Sequence, residues 1–287
     1  MRLCGLVLGL FLSFATPLFA LGATVDPSAS DLTVMPGETA VATISVKNDA
    51  DWSKNYEVSF AQVKFGTTAE EVSFTALSTS LKGALLAAPK LFTLEAHASR
   101  TIDVSVQLPV GLEAQSPTIA ILVTEKGDQG QTGGVQSSVA SMLFLHVPGN
   151  LTRSMSLDSF IAVPTFTWGR NTMISGLFRN DGEETIVLPN EIRVFGPFGG
   201  EVGRGLFSSE PKHLPPGTTR GVTLTWPASD GFSKFLIGSY RFELWDGDQQ
   251  LAKTKATFVP ITVFVVLGAS FIVIFLGIIT LVRRRTK

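Results

Sequence analysis

The sequence TVMPGETAVATISVKND (residues 33–49) joins a Pro-Gly turn to a run of regularly alternating residues. Ala42, Ile44 and Val46 are apolar, and Thr43 and Ser45 between them carry hydroxyl groups. Alternation with a period of two is typical of a strand that buries one face and exposes the other. The stretch therefore predicts a half-buried β-strand that begins after a tight turn and ends at an Asn-Asp pair.

The same pattern recurs along the chain, as IDVSV at residues 102–106 and VTLTW at residues 222–226. Further short runs of this type occupy residues 56–60, 119–123, 139–147, 185–188, 192–195 and 240–245. Turn pairs such as Pro-Gly, Asn-Asp and Asp-Gly separate them. Residues 81–91, rich in Ala and Leu, are the exception and predict a helical turn or an irregular crossover. Many short strands at this spacing predict an all-β fold.

A weak internal repeat divides these strands into two groups. PGET at residues 36–39 and PGTT at residues 216–219 each lead into a strand, and Asn-Asp pairs at 48–49 and 180–181 each close one. We expect two tandem Ig-like β-sandwich domains, at residues 24–149 and 150–255. Their boundary is placed at Pro148-Gly149-Asn150.

Both ends of the chain are apolar. Residues 1–23 combine a basic start, an apolar run and small residues, which is typical of a signal peptide cleaved after Ala20 or Ala23, with an uncleaved anchor as the alternative. Residues 256–282 predict one C-terminal transmembrane α-helix, since residues 258–282 carry no charge and would span roughly 37 Å.

The short basic tail at residues 283–287 sets the predicted topology. It contains the topology-setting residues Arg283, Arg284, Arg285 and Lys287. Because positive residues favour the cytoplasmic side, the domains are expected outside the cell membrane and the C-terminus in the cytoplasm.

Charge and cysteine content exclude several function classes. All 24 acidic residues lie within residues 26–248. Of the 23 basic residues, Arg2 and the four tail cations lie outside that region, so 18 remain and the net charge there is about −6. An acidic ectodomain argues against nucleic acid as a partner. Cys4, the single cysteine, lies in the predicted leader, so a disulfide framework and thiolate metal sites are excluded.

No motif for catalysis, a cofactor or a metal is present in the sequence. His97, His146 and His213 lack a partner at metal-ligand spacing, and neither a Gly-x-Ser-x-Gly elbow nor a phosphate-binding loop occurs. Asp246 and Asp248 fit a hairpin turn better than a calcium loop. We therefore expect no enzyme activity and no cofactor.

Two further features leave alternatives open. The glycine-rich stretch KGDQGQTGGV at residues 126–135 is a candidate ligand-binding loop or a solvated connection. Trp52 and Trp168 lie in polar turn segments, where an exposed indole binds a sugar or partner, or else caps the end of a sandwich. Trp226 and Trp245 lie within alternating strands and are expected in the core.

The order of these features resembles the WxL-interacting protein family of bacterial cell surfaces. The resemblance spans about residues 25–287 and rests on segments 34–49, 94–124, 133–150, 177–182, 192–199, 214–217 and 238–240 together with the tail anchor. It implies two Ig-like domains, the first linked to peptidoglycan binding and the second to contacts with host or partner surface proteins. Residues 115–118, QSPT, stand where the family often has Pro-Gly-Gly and an aromatic residue. No binding residue is transferred from the family to this chain.

The sequence thus predicts a non-enzymatic, membrane-anchored surface protein that binds a cell-envelope polymer, with peptidoglycan as one candidate, or another surface protein. One alternative is a chaperone-like or assembly module that accepts a β-strand from a client, which a long flat edge lacking Lys, Pro and bulges would favour. Others are a passive structural spacer and an envelope hydrolase.

Overall fold

The structure is a computed structural model that describes residues 22–126, 137–168, 171–208, 211–226, 237–259 and 261–285. Most of the predicted signal peptide, nearly all of the glycine-rich stretch at 126–135, and Lys287 lie outside the described residues. Ala23 opens the first strand, and the Tyr56 hydroxyl donates a hydrogen bond to the Gly22 carbonyl at 2.7 Å. Cleavage after Ala20 keeps these contacts, whereas cleavage after Ala23 would remove them.

The first sandwich consists of two sheets. One has the strand order β1-β3-β8-β6, and the other has the order β2-β10-β9-β4-β5, with β7 also pairing with β4. The strands are β1 (Ala23–Asp26), β2 (Ala29–Thr33), β3 (Thr39–Asn48), β4 (Lys54–Phe65), β5 (Val72–Thr75), β6 (Leu85–Ala88), β7 (Leu91–Leu94), β8 (Ser99–Gln107), β9 (Thr118–Lys126) and β10 (Ser138–His146).

The second sandwich faces a three-stranded sheet, β11-β13-β18, with a five-stranded sheet, β12-β20-β19-β15-β16, and β14 pairs with β17. The strands are β11 (Met155–Val163), β12 (Phe166–Thr167), β13 (Thr172–Asn180), β14 (Ile186–Val187), β15 (Glu191–Phe195), β16 (Glu201–Leu206), β17 (His213–Leu214), β18 (Thr219–Trp226), β19 (Gly238–Asp246) and β20 (Gln249–Phe258). The prediction of an all-β fold built from Ig-like sandwiches is confirmed.

Each sandwich has its own hydrophobic core. In the first, Ile44 of β3 and Ile102 of β8 face Ile119 and Leu143 of the other sheet, and all four are fully buried. In the second, Ile174, Phe178 and Phe242 are fully buried within a separate cluster. The alternating residues that the sequence assigned to one face are therefore the core residues. The predicted domain boundary at residues 148–150 falls between the two sets of sheets but stays a prediction.

Two local predictions differ from the structure. Residues 81–91 contain a turn followed by β6, whose Leu85 is buried. Trp245 was expected in the core but lies on the outer face of β19, because the core face of that strand is formed by Tyr240, Phe242 and Leu244. Trp226 is buried as expected and contacts Phe242 edge-on.

The C-terminal helix α1 (Ile261–Arg285) begins later than the predicted start at residue 256. Residues 256–258 belong instead to β20, where they pair with residues 238–240 of β19. The helix includes Arg283, Arg284 and Arg285, and its side chains are described at positions 264–265, 268–276 and 278–279. Within the described residues, no helix is both long enough and apolar enough to be assigned as a membrane span.

Candidate functional site

The two sandwiches meet at a junction built around a buried histidine. The His213 Nε2 of β17 lies 2.9 Å from both carboxylate oxygens of Asp31 in β2. The His213 ring stacks on Phe144 of β10, with centroids 3.8 Å apart. Because His213 is only 5% exposed, these contacts hold the second sandwich directly against the first.

A second contact at the junction joins backbone to backbone. The loop after β4 lies beside the first residue of β18, in a parallel bridge between Thr68 and Thr219. The Thr219 N–H donates to the Thr67 carbonyl at 3.1 Å, and the Ala69 N–H donates to the Thr219 carbonyl at 2.9 Å. The first sandwich thus supplies a short segment that pairs with the outer edge of β18.

Arg220 reinforces this contact. Its guanidinium donates to the Ala69 carbonyl at 3.2 Å, and its Nε lies 3.3 Å from a Glu70 carboxylate oxygen. Burial lowers the pKa of the Arg220 guanidinium, and the neighbouring Glu70 carboxylate opposes that shift. The Arg220 guanidinium therefore belongs to the junction. It does not extend along the rest of the β18 edge.

Beyond the junction, the outer edge of β18 is open with respect to the strands that the structure describes. Among the described residues, no strand pairs with the far side of residues 221–225. In an antiparallel pair, each residue directs both backbone polar groups either toward its partner strand or away from it, in alternation. Since Thr219 directs both groups away from β13, the N–H and C=O groups of Gly221, Thr223 and Thr225 also point to the open edge.

The edges of the other strands are protected in ways that β18 is not. Natural sheets block unwanted pairing with short strands, lysines, prolines or bulges. Strands β1, β2, β5 and β6 have four or five residues, and β10 extends past its partner β2 only over residues 138–141. Strand β11 carries a bulge, the β15–β16 pair is irregular, and β20 has Lys253 and Lys255. Strand β18 pairs with β13 in regular register over eight residues and contains neither lysine nor proline.

An apolar sheet face adjoins this edge. The outer face of β11, β13 and β18 presents Ile161, Val163, Met173 and Leu177, which are 38–48% exposed. The remaining outward residues on this part of the face are uncharged, namely Ser159, Ser175, Gly221, Thr223 and Thr225. A contiguous exposed apolar patch of this kind is typical of an interaction surface. We call the open edge and this face together the β18 surface.

The three histidines lie in separate places among the described residues. His97 contacts the exposed Asp51 at 3.1 Å, and the His146 Nδ1 lies 3.7 Å from Glu184. His213 is the buried residue of the junction. Within the described part of the chain, no group of three potential metal ligands comes together.

The other candidates from sequence lie apart from the β18 surface. Residues 246–248 form the exposed hairpin turn between β19 and β20, as expected for the Asp-Gly pair. Trp52 is 54% exposed, with the Lys54 ammonium 5.4 Å from its ring centroid. Trp168 contacts Phe166 and, on helix α1, Phe264. The β18 surface could not be predicted from sequence. A strand is an edge strand when no other strand pairs with one of its sides, and no local sequence pattern shows this.

The grooves on the described part of the molecule include the following two. One, of about 220 Å³, lies at the junction and is lined by residues that include Asp31, Phe144, His146, Arg153 and Glu184. The other, of about 400 Å³, lies beside the Pro36-Gly37 turn and the Ser80–Ala84 loop. Neither gathers a set of residues suited to a particular reaction.

Comparison with known proteins gives structural similarity only. No protein-family model and no curated protein matches the sequence. The class 5 fimbriae chaperone CfaA is similar over 83% of this chain and 99% of its own, with 13% identity and a TM-score of 0.40. The E. coli chaperone DraB is similar over 83% and 98%, with 14% identity and a TM-score of 0.38. A Salmonella enterica SafA pilin–SafB chaperone complex contains a chain similar over 82% and 95%, with 13% identity and a TM-score of 0.34. Similarities of this strength do not bear on the function of this chain.

Proposed function

We propose that this protein is a non-enzymatic, membrane-anchored binding protein of the cell envelope, which takes up an extended segment of another surface protein as an additional strand on β18. The observation that carries the proposal is the β18 surface, a flat and regular strand edge next to an exposed apolar face. The proposal combines two hypotheses from the sequence analysis, namely a surface protein as the partner and the acceptance of a β-strand from that partner.

Strand addition uses the main chain for affinity and alternate side chains for specificity. Gly221, Thr223 and Thr225 present three N–H and three C=O groups, and each hydrogen bond formed is worth about 1 kcal/mol net. Every second side chain of the incoming segment would lie beside Thr223 and Thr225 on the outer face, continuous with Met173. The Thr67–Ala69 segment already pairs with Thr219 in this way, which supports an edge suited to pairing.

We infer that helix α1 anchors the chain in the membrane. Residues 258–282 contain no charged residue, and Arg283, Arg284 and Arg285 follow them. Residues 271–275, which turn through more than a full circle of the helix, are each at least 55% exposed and all apolar. A helix that is apolar on every side is suited to lipid rather than to water. The basic tail supports a topology in which the C-terminus is cytoplasmic and the sandwiches lie outside the cell.

Two further features of the proposal come from the sequence alone. Membership of the WxL-interacting family rests on the sequence segments quoted above. Peptidoglycan or another envelope polymer is the alternative partner, and neither of the two grooves described above favours it over a protein segment. A passive spacer fits less well with four large exposed aliphatic side chains on the uncharged part of one sheet face.

Photo-crosslinking on intact cells tests the strand-addition proposal. A photoreactive amino acid replaces Thr225 on β18, and in a matched control it replaces Thr101, an exposed threonine on β8 of the first sandwich. We expect a specific protein adduct from position 225 and not from position 101. Adding Thr223→Pro, which removes an N–H that points to the open edge, should abolish the adduct. Absence of an adduct, or an adduct that survives Thr223→Pro, would contradict the proposal.

A further inference from the structure

The end of the second sandwich from which helix α1 emerges can be identified from strand register. Strand β20 ends at Phe258 and α1 begins at Ile261, so only two residues separate sheet from helix. Phe258 pairs with Gly238 at the start of β19, and Phe195 at the end of β15 pairs with Arg241. The starts of β19 and β16 and the end of β15 therefore lie at the same end of the sheet as the helix.

Exposed apolar side chains are concentrated at the strand ends and turns on the side of the second sandwich from which α1 emerges. Trp168 and Phe166, next to the end of β20, are 53% and 45% exposed. Ile237, just before β19, is 50% exposed, and Phe198, in the turn between β15 and β16, is fully exposed. The Phe198 turn lies beside the start of β19, because a Cβ on Gly238 would come within 2.8 Å of Pro197.

These strand ends and turns form a row across the sheet. In the order β12-β20-β19-β15-β16, they occupy β12, β19 and the β15–β16 turn, so the row extends over roughly 14 Å at about 4.8 Å per strand. The hairpin turn at the opposite end of the same strands carries Asp246 and Asp248 instead. The exposed apolar residues are thus on the helix side of the sandwich, together with Glu201 at the start of β16, whose carboxylate accepts a hydrogen bond from Arg204.

Trp168 connects this row to the helix itself. Its ring lies 4.8 Å from that of Phe264, in the first turn of α1, and 5.0 Å from that of Phe166. Tryptophan and tyrosine are enriched where a membrane-spanning helix leaves the hydrocarbon and enters the headgroup region. Trp168 occupies that level relative to α1 although it is about a hundred residues earlier in the chain.

We propose that Trp168, Phe166, Ile237 and Phe198 form an apolar collar that inserts into the interfacial region of the phospholipid bilayer around α1. The inference rests on the proposed membrane anchor. The collar would keep the second sandwich in contact with the bilayer surface, so that the sandwich is not held away from the membrane by a flexible linker. Burial of apolar side chains at the interface stabilises this contact.

Two cations lie one step behind the collar. Arg241 and Lys255 face each other across β19 and β20, three residues from the paired Gly238 and Phe258. The Arg241 guanidinium also lies 4.6 Å from the Phe195 ring centroid. The Arg241 guanidinium donates to the Glu243 carboxylate at 2.7 Å, on the side away from the collar, so Lys255 is the cation that can reach the phosphate layer of the headgroups, as long basic side chains do at membrane surfaces. The sandwich in contact with the bilayer would then hold β18 at a fixed height and orientation above the membrane.

Site-specific labelling tests the collar directly. Because the mature chain is predicted to lack cysteine, Phe198→Cys provides a single attachment point for an environment-sensitive fluorophore, and exposed Asp248→Cys at the opposite end is the matched control. The full mature chain is reconstituted in phosphatidylcholine–phosphatidylglycerol vesicles, and co-flotation is measured on the same sample. We expect a blue shift at position 198 and loss of its emission when nitroxide lipids are added, with no change at position 248.

The alternative outcomes separate the collar from the anchor. Protein that floats with the vesicles but shows water-like, unquenched emission at position 198 would overturn the collar and leave the anchor intact. Protein that does not float would overturn both. Quenching at both positions would also contradict the collar, since it would mean that the sandwich lies flat instead of standing on the end that carries α1.

Discussion

Asn48 and Asn180 occupy equivalent positions in the two sandwiches and make equivalent hydrogen bonds. Both side chains are fully buried at the ends of β3 and β13. The Asn48 amide donates to the Leu94 carbonyl at 3.1 Å, and the Asn180 amide donates to the Leu214 carbonyl at 2.8 Å. In each case the side-chain oxygen accepts from a backbone N–H two residues later. The Asn-Asp repeat in the sequence therefore marks one structural element used twice.

Replacing either asparagine should destabilise its own sandwich. Asn48→Ala or Asn180→Ala leaves buried carbonyl groups without donors, and we expect a loss on the order of 3 kcal/mol in the free energy of unfolding. Chemical denaturation followed by circular dichroism measures it. The control is the exposed Asn55→Ala, for which we expect a change of about 0.5 kcal/mol or less. A loss no larger than the control's would show that these side chains do not secure the turns.

Alanine substitutions at two glycines near the start of β18 should change the free energy of unfolding in opposite directions. Both have open space at the Cβ position, but Gly217 has φ = +69° whereas Gly221 lies within the strand. Gly217→Ala should cost about 1 kcal/mol because an alanine is strained in the left-handed region. Gly221→Ala should raise stability by about 0.5 kcal/mol by restricting the unfolded chain. Thermal unfolding measures the stability of both variants. Equal changes in stability would argue against a left-handed backbone at Gly217 and an extended one at Gly221.

The first sandwich should lose stability at high pH through Tyr56. Burial, aided by Glu125 and Asp49, raises the pKa of Tyr56 to about 12 from its ordinary value of 10.0. The folded state therefore keeps the phenolic proton after the unfolded state has released it, so this contribution is complete below pH 10 and is lost as the pH rises to 12. Denaturation at several pH values should show this slope in the native protein. In Tyr56→Phe the slope should be weaker; an identical slope would assign the alkaline loss to other groups.

The contact between Asp31 and His213 should keep the two sandwiches in one orientation. Asp31→Ala removes the carboxylate that contacts the buried ring, a loss of about 1 kcal/mol. Spin labels at Thr101→Cys and Thr254→Cys, one on each sandwich, report the distance distribution between them. We expect a narrow distribution in the parent protein and a broader one with Asp31→Ala. The exposed Asp26→Ala serves as control, and equal widths in all three proteins would contradict this role of the contact.

The strands were predictable because burial on one face leaves a period of two in the sequence. Ile44, Ile102 and Val222 follow that rule, and each is buried. The Pro-Gly repeat was less informative, because Pro36-Gly37 precedes β3 whereas Pro216-Gly217 precedes β18, which occupies a different place in its sheet. In the first sandwich, the turn equivalent to Pro216-Gly217 contains His97, which has φ = +58°. A composition-based search for left-handed turns passes over such a residue.

The candidate site was not predictable, since it depends on contacts between distant parts of the chain. The contacts of His213 were not predicted, because Asp31 and Phe144 approach it from the other sandwich, across the junction. The open edge of β18 likewise depends on which strands do not extend beside it. From sequence, Trp168 was interpreted either as a ligand contact or as a cap on the sandwich. In the structure its ring contacts Phe264 of α1, which neither interpretation included.

Residue-level amide hydrogen exchange on the complex isolated by photo-crosslinking tests strand addition most directly. In the free protein, the N–H groups of Gly221, Thr223 and Thr225 point to the open edge and should exchange faster than those of Val222 and Leu224, which face β13. In the complex, where the photoreactive residue occupies position 225, we predict that the amides at positions 221, 223 and 225 become protected by at least about tenfold, as expected for newly formed backbone hydrogen bonds worth ~1.4 kcal/mol or more in total. Unchanged exchange at all three positions in the complex would show that the partner does not bind as a strand on β18.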